Sequence, residues 1–266
     1  MNDISEVKKC YDNNVLSEWN RLVNHPVEFE INMRYIKRYI KKGYRVLDIG
    51  GGPGRYSLCL AEEGCNVTLF DLSQGNVDFA VKKASSMNIP LKTVCGDARL
   101  VDKLVGDSFD AILLMGPLYH LPNLEDRINA VNAALKLLKS GGIIFVAFIS
   151  STAAVWDYIT NVPQAILDES EKKYFEIFKN DEDFSGLSFT QSYFISPKEV
   201  TCFMSKFPLN KKHILGSESI LALRENELIT QPKEIFSAWI DFAEKVCERI
   251  DFLSLSHHLL YIGEKI

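Results

Sequence analysis

A glycine-dense turn between an apolar stretch and a helix-like stretch constrains the fold of this chain most. The sequence VLDIGGGPGRYS occupies positions 46–57 and contains four glycines. Glycine tolerates positive φ and has no Cβ, so a ligand can lie directly against the backbone there. In open α/β sheets, ligands bind outside the carboxyl ends of the strands, where such a turn is found. The turn therefore predicts an α/β fold with a binding site at one edge of its sheet.

Stretches typical of strands and of helices alternate along most of the chain. The patterns predict strands at 45–49, 66–70, 91–95, 109–115, 143–149, 212–216 and 258–263. They predict helices at 27–42, 55–63, 74–87, 124–138 and 232–253. This alternation is typical of a mostly parallel sheet covered by helices on both faces.

The loss of this regularity after residue 150 divides the chain of 266 residues into parts. We predict an N-terminal helical lid at 1–43 and a binding core made of 44–150 and 206–266. Residues 151–205 are predicted to form a cap inserted after strand five. The length fits one large or two small domains at the usual domain size.

The charge and cysteine patterns argue against several classes of protein. A net charge of −5 and a sequence pI near 5.6 disfavour non-specific binding of nucleic acid, which needs concentrated Lys and Arg. The six cysteines form no C-x-x-C pair and no Cys/His cluster of zinc spacing, so no metal is expected. They indicate reduced thiols of a cytoplasmic protein. No apolar run approaches the roughly 18 residues of a membrane helix, and the N-terminus lacks a signal-peptide layout.

Acidic residues accompany the first three predicted strands. Asp48 stands two positions before the first glycine, where it could face the cationic end of a ligand or only organise the loop. Asp71 ends strand two, the position at which nucleotide-binding α/β folds hydrogen-bond a ribose. Asp97 follows strand three. Arg55 occupies the place where the dinucleotide fingerprint needs its third glycine, which disfavours a nicotinamide-dependent oxidoreductase.

Five segments together resemble the class I S-adenosylmethionine-dependent methyltransferases of small-molecule type. They are VLDIGGGPGRYS, LFDLS, CGDAR, FDAILLMGPLYHL and LKSGGIIFV, and they extend from about residue 44 to 149. The resemblance implies a Rossmann-like, seven-stranded, mostly parallel sheet ordered 3-2-1-4-5-7-6. Its last strand would be antiparallel, and helices would cover both faces.

The resemblance also implies how the cofactor, S-adenosyl-L-methionine, would be held. Gly50, Gly52 and Gly54 would wrap its amino-acid end, and Asp48 is counted with them as cofactor-binding. For the nucleoside, Asp71 would hold the ribose hydroxyls and Asp97 the adenine amino group, with Ala98 beside it. Leu72 and Met115 would flank the adenine ring.

The segment after strand four, with Tyr119 and His120, lies where the methyl group would be expected. In-line displacement at a sulfonium needs mainly alignment, and a base only if the nucleophile arrives protonated. His120 is a candidate base because its ordinary pKa is near 6.5, although a pocket-wall role is an alternative. Tyr119 is a candidate wall of the methyl channel.

We therefore expect a methyltransferase that moves a methyl group to N, O or C of a small molecule and releases S-adenosyl-L-homocysteine. One alternative is an RNA or protein substrate bound by a basic surface that includes Arg21, Arg34, Lys37 and Arg38. A second alternative is a non-catalytic module that binds S-adenosylmethionine. The sequence indicates no membrane association, makes a nucleic-acid partner improbable and contains no signal for an oligomeric state.

The predicted cap is rich in aromatic and acidic residues. Residues 168–183 contain seven acids against three lysines. Such a cap would suit a neutral, aromatic or amine-bearing small molecule and would repel phosphates. Alternatively, the aromatic residues form the cap's own core and the acids its solvated face.

Overall fold

The computed structural model describes residues 3–266 and has a nine-stranded sheet through this part of the chain. The strands are β1 (Arg45–Ile49), β2 (Asn66–Asp71), β3 (Lys92–Cys95), β4 (Phe109–Leu114), β5 (Leu138–Ser150), β6 (Phe184–Leu187), β7 (Gln191–Ile195), β8 (Leu209–Gly216) and β9 (His258–Lys265). Seven of them lie at or within a few residues of the predicted positions. The Rossmann-like α/β fold class is confirmed.

The order of these seven strands is β3-β2-β1-β4-β5-β9-β8. The neighbours from β3 to β5 pair in parallel, and β9 is antiparallel to both β5 and β8. This is the order that the resemblance implies, with an antiparallel last strand. The parallel part of the sheet brings the ends of β1 to β4 to one edge, where the glycine turn lies.

The predicted count of seven strands is wrong, because a hairpin inside the predicted cap adds β6 and β7. The two strands pair with each other, and β7 also pairs in parallel with the last two residues of β5, Ile149 and Ser150. All residues of β7 from Ser192 to Ile195 are buried. Burial on both sides removes the alternation of polar and apolar residues from which a strand is predicted.

Thirteen helices surround the sheet in the described part of the chain. They are α1 (Asp3–Asn13), α2 (Val15–Asn24), α3 (Pro26–Tyr39), α4 (Arg55–Glu62), α5 (Gln74–Ser86), α6 (Val101–Leu104), α7 (Leu124–Leu137), α8 (Ser151–Asn161), α9 (Lys172–Lys179), α10 (Glu199–Met204), α11 (Glu225–Leu228), α12 (Lys233–Val246) and α13 (Ile250–Leu253). None of these helices combines the length and apolar character needed to cross a membrane.

The helix predicted at 232–253 is divided into α12 and α13. The backbone N–H of Gly216, at the end of β8, donates to the carbonyl of Cys247 at 2.9 Å. The Cys247 carbonyl therefore accepts a hydrogen bond from a neighbouring strand, and the chain turns before α13 begins. Such a contact is tertiary and leaves no local mark in the sequence.

The core lies on both faces of the sheet, as the alternation along β1 illustrates. Val46 packs on the face covered by α3, α4 and α12, and Leu47 packs on the opposite face, against α7 and α10. Both side chains are fully buried. A strand that is apolar on both sides needs helices on both faces, so the predicted layering is confirmed.

The three predicted parts of the chain share contacts in the structure. Residues 1–2 of the predicted lid lie outside the described range. In the rest of the lid, α3 belongs to the core, and α1 contacts α5 and β7. In the predicted cap, Val200, Phe203 and Met204 of α10 belong to the central core cluster. The domain boundaries themselves stay a prediction.

Candidate active site

The glycine turn after β1 brings its backbone close to the segment after β4. A Cβ on Gly50, whose φ is +76°, would lie 2.5 Å from Cδ of Pro117. Gly52 also has a positive φ, +54°, but a Cβ there would meet only Asn76 Nδ2 at 4.0 Å. Gly50 therefore permits a close approach inside the protein, whereas Gly52 leaves open space for a ligand. Gly54 begins α4 and is not part of the cavity wall described below.

Asp71 ties the end of β2 to the glycine turn. Its carboxylate accepts hydrogen bonds from the backbone N–H groups of Gly52 (2.8 Å) and Ser73 (2.9 Å) and from Asn76 Nδ2 (3.2 Å). Burial raises the pKa of Asp71 above its ordinary value, although these donors favour its charge. A buried carboxylate with three donors orients the loop and still lines the cavity.

Asp48 lies beneath the loop and is not among the residues that line the cavity. Its side chain is 1% exposed and accepts a hydrogen bond from Ser57 Oγ at 2.7 Å. Burial raises the pKa of Asp48 to about 7. Of the two roles considered from the sequence, organising the loop is the one that this position supports.

The residues after β3 and β4 divide between two faces of the sheet. Asp97, Ala98 and Leu72 line the cavity, and their roles toward a cofactor stay predictions. Met115 is half-buried against the core cluster on the α3 face and does not line this cavity, and its contact with the adenine ring stays a prediction. The carboxylate of Asp97 is held by the guanidinium of Arg99, with the shortest contact at 2.6 Å.

The cavity between these residues has a volume of about 100 Å³. Helices α1 and α2 cover it with the side chains of Ile4, Val7, Lys8, Tyr11 and Glu18. Asp12 fastens α1 at this place, since its carboxylate accepts from Ser73 Oγ at 2.6 Å and from the Gly75 N–H at 3.1 Å. Small-molecule pockets usually have volumes of roughly 300–1,000 Å³, so α1 occupies part of the space.

A chain of hydrogen bonds runs through His120 at one end of this cavity. Tyr11 Oη lies 2.8 Å from His120 Nε2, and Thr190 Oγ1 lies 3.0 Å from Nδ1. The Gln191 carbonyl also lies 3.4 Å from Nδ1 and can only accept, as Thr190 Oγ1 donates to the same carbonyl. Nδ1 is therefore the protonated nitrogen, and Nε2 accepts a hydrogen bond from the Tyr11 hydroxyl. Burial lowers the pKa of His120 to about 4, so the ring is neutral at pH 7.

Tyr119 lines the same cavity, and its hydroxyl group is already hydrogen-bonded within the protein. The hydroxyl donates to the Met115 carbonyl at 3.2 Å, and burial raises the pKa of Tyr119 well above its usual range. A phenol held in this way does not exchange protons near neutral pH. Its position supports the predicted wall of the methyl channel and not an acid or base.

A second cavity, of about 450 Å³, lies next to the first. Phe189 lines it, and the ring of Phe189 is 5.7 Å from the ring of His120. The cavity extends between α8 and the segments around Glu225 and His258. The walls of the two cavities are thus in contact through this pair of rings.

A buried ion pair stands in the wall of the second cavity. His258 Nδ1 donates to Glu218 Oε1 at 2.5 Å and lies 3.7 Å from Glu28 Oε2. Burial opposes the charge of His258, but the carboxylates of Glu28 and Glu218 outweigh it and raise the pKa of His258 to about 9. Among the described residues these three form the one group whose ligand atoms, all within 4.8 Å of one another, are close enough to surround a metal ion.

Most aromatic and acidic side chains of the predicted cap contact other residues of the cap or face solvent. The rings of Tyr158, Tyr174, Phe175, Phe184 and Phe194 pack against one another with centroid distances of 5.0–6.2 Å. The acids of residues 168–183 bond to nearby groups or face solvent, and none of them lines the second cavity. The alternative of a self-packed cap with a solvated acidic face therefore describes these residues.

Sequence reasoning missed the residues that reach the site from distant segments. In the sequence Tyr11 is one of several aromatic residues of the N-terminal segment, and Asp12 and Thr190 carry no signal of such a role. Asp12 reads as a polar residue of an exposed helix, and Thr190 as part of a turn. Their roles depend on α1 and the β6–β7 turn meeting above the sheet.

Comparison with known proteins agrees with this geometry. A family model described as a methyltransferase domain matches residues 46–142. The ubiquinone biosynthesis O-methyltransferase of Coxiella burnetii is 32% identical over 129 residues, which are 48% of this chain and 53% of that protein. These matches identify residues 46–142 as a methyltransferase domain. The chain spans about half the length of this curated relative.

Solved structures of methyltransferases share the fold at low sequence identity. Magnesium protoporphyrin IX methyltransferase from Synechocystis, with S-adenosylhomocysteine bound, has a TM-score of 0.62 at 14% identity and full coverage of both chains. A Burkholderia thailandensis 1,6-didemethyltoxoflavin N1-methyltransferase has a TM-score of 0.61 at 12% identity, covering 98% of this chain and 88% of that one. Both structures share the predicted fold, and the S-adenosylhomocysteine bound in the Synechocystis enzyme agrees with the predicted cofactor, S-adenosylmethionine.

The first cavity of the methyltransferase domain fits this cofactor in two respects. Asn76 lines it, and its buried Oδ1 has no hydrogen-bond partner among the described residues, so a ribose hydroxyl would supply the missing donor. The missing Cβ of Gly52 leaves space directly above the loop. The free acceptor and the open space would both favour a ligand that lies against the glycine turn.

Proposed function

We propose that the chain transfers a methyl group from S-adenosylmethionine to N, O or C of a small molecule by in-line displacement. The observation that carries the proposal is the convergence of Gly52, Asp71 and Asp97 on one cavity whose far end is closed by His120. The sulfonium supplies an activated methyl group when the cofactor is bound. The protein then needs to orient the acceptor and exclude water.

The cofactor-binding roles of individual residues belong to this proposal. Gly50 and Gly52 provide the backbone surface for the amino-acid end, and Asp71 and Asp97 receive the ribose and adenine donors. Helix α1 must withdraw for the cofactor to enter, because its side chains reduce the cavity to about 100 Å³. Asp12 and Tyr11 hold α1 in its closed position through Ser73 and His120.

The names of similar proteins support a small-molecule acceptor without identifying the acceptor atom. The curated relatives are named as O-methyltransferases of ubiquinone biosynthesis, and a structural neighbour is named as an N-methyltransferase. The basic residues that an RNA or protein substrate would need are already in ion pairs, Arg21 with Glu18, Arg34 and Arg38 with Glu244, and Lys37 with Glu63. This pairing leaves the small-molecule acceptor better supported.

The test of the proposal is direct binding followed by turnover. Calorimetry with S-adenosylmethionine, S-adenosylhomocysteine and NAD is expected to give binding of the first two and none of the third. Formation of S-adenosylhomocysteine should then depend on an added acceptor. Binding of NAD alone contradicts the proposal, and cofactor binding without turnover for any acceptor supports the non-catalytic module instead.

His120 is proposed to accept the proton of a protonated acceptor at Nε2, after Tyr11 has moved away. We expect His120→Ala to lower kcat by about 10²-fold, the usual contribution of a positioned base. The affinity for S-adenosylhomocysteine should change less than about twofold, because the residue lies at the acceptor end of the cavity. The measurement is steady-state formation of S-adenosylhomocysteine, with calorimetry for the affinity.

The matched control for this prediction is His213→Ala, which removes a histidine that lines neither cavity. Because the pKa of His120 is about 4, the ring stays neutral and the rate of the wild type should not fall between pH 8 and 6 on its account. Near-normal kcat in His120→Ala would remove the proposed base and leave His120 as a wall of the channel.

A further inference from the structure

The second cavity has a wall suited to a flat ring. Trp156, Phe189 and Phe194 line it with aromatic side chains, and Ala153 and Ala154 of α8 leave room between them. The residues of α8 that face the cavity recur at helical spacing, so one face of this helix is turned toward it. At about 450 Å³ the volume is that of a typical small-molecule site.

Negative charge dominates the wall. Asp157 and Glu225 line the cavity, and Glu218 and Glu28 stand directly behind His258. The protonated imidazole of His258 opposes Glu218 and Glu28, and Nδ1 of His25, which also lines the cavity, lies 3.0 Å from Glu225 Oε2. Neither lysine nor arginine occurs among the described residues that line the cavity.

The wall also contains a polar atom without a partner. His257 lines the cavity, and its Nε2 is buried with no hydrogen bond within the described part of the chain. Buried polar atoms normally find partners, because an unpaired one costs about 1–3 kcal/mol. A polar group of a ligand in the cavity would satisfy it.

The position of the cavity connects it to the proposed reaction. Phe189 lies between its interior and His120, and the neighbouring Thr190 and Gln191 hold His120 Nδ1. The turn between β6 and β7 thus forms a wall of the second cavity and also orients the residue at the end of the first. A molecule in the second cavity would lie beside the proposed methyl channel.

We infer that the second cavity is the acceptor site and that it selects an aromatic compound carrying a protonated amine. The inference rests on the proposed function and adds the class of acceptor. The aromatic side chains bind the ring and the cation, and the carboxylates favour an ammonium group and disfavour a carboxylate or phosphate. The inference does not assign the atom that receives the methyl group, because the amine is recognised in binding whether or not it is methylated.

The test uses the full chain saturated with S-adenosylhomocysteine and three small probes of one shape. Tyramine is the cation, 4-hydroxyphenylacetate the anion and p-cresol the neutral ring. Ligand-observed NMR titrations are expected to show that tyramine binds at least about tenfold more tightly than 4-hydroxyphenylacetate, with p-cresol between them. Equal or tighter binding of the acid, or no binding of tyramine, overturns the inference.

Two variants test whether the probes bind in the second cavity and whether its carboxylates cause the charge preference. Ala154→Trp fills the cavity and is expected to weaken all three probes at least about tenfold. Asp157→Asn removes one exposed carboxylate from the wall and should lower the preference for tyramine over the acid at least about threefold. The matched control is Glu169→Gln, an exposed cap acid outside the cavity, which should leave the preference unchanged.

Failure of this inference can be separated from failure of the proposed function. If Ala154→Trp does not fold, the charge preference and the Asp157→Asn variant still decide the question. An unchanged preference in Asp157→Asn, or unchanged tyramine binding in a folded Ala154→Trp, contradicts the acceptor site. Loss of S-adenosylhomocysteine binding by the wild type would contradict the proposed function itself.

Discussion

Replacement of Asp71 by alanine is expected to weaken the binding of S-adenosylmethionine by about 1–3 kcal/mol. The change removes the proposed acceptor for the ribose hydroxyls. It also leaves the backbone N–H of Gly52, the N–H of Ser73 and the amide of Asn76 without their shared acceptor. Part of the loss would therefore come from a glycine turn that is no longer held in its binding shape. Isothermal titration calorimetry of both proteins measures the difference.

Asp78→Ala is the matched control for this measurement. Asp78 is an exposed residue of α5 that bonds only to Gln74, so its removal should leave the affinity unchanged. Equal dissociation constants for the wild type and Asp71→Ala would contradict the assignment of Asp71 to the cofactor. An equal loss in Asp78→Ala would mean that the effect belongs to the charge of α5 and not to the loop.

The second large effect is expected from His258→Gln. Glu218 is almost fully buried and has His258 as its cationic partner, so the variant leaves a carboxylate in the interior without a compensating charge. Removing one partner of a buried ion pair typically costs about 3–5 kcal/mol of the free energy of unfolding. Urea unfolding at pH 6.5 measures this loss. The double variant Glu218→Gln/His258→Gln should recover part of it, because the buried charge is then absent.

The difference between wild type and His258→Gln should depend on pH. The pKa of folded His258, about 9, lies above its ordinary value of 6.5. The stabilisation is therefore fully present below pH 6.5 and is lost as the pH rises through 9. Glu28, Glu218, His257 and Arg21 are the charged or titratable groups that act on this pair. A difference that stays constant from pH 6.5 to 9.5 would contradict the protonated imidazole.

Local patterns in the sequence predicted the strands of the sheet well. β1 was predicted at its observed bounds, and β2 and β4 within one residue, because each is a short apolar run closed by polar or turn residues. Failures occurred where burial depends on another part of the chain. Strand β7 is buried on both sides, and the break between α12 and α13 follows a hydrogen bond from β8.

The candidate site was predictable to the extent that it is built from consecutive residues. Gly50, Gly52, Asp71 and Asp97 line or shape the first cavity, and their spacing along the chain carries that information. Asp48 and Met115 lie on the same strands or turns but point elsewhere. One residue along a strand changes the face to which a side chain belongs, so spacing alone does not separate a wall residue from a core residue.

The sequence by itself determined the βα turn and the parallel sheet. These depend on local properties, namely positive φ at glycines and apolar periodicity over a few residues. The tertiary structure decided which distant side chains meet at the site. Tyr11 and His120 are 109 positions apart, and the second cavity joins α8 to segments near both Glu225 and His258. Such contacts follow from how packed elements meet in space, and their partners are not neighbours in the sequence.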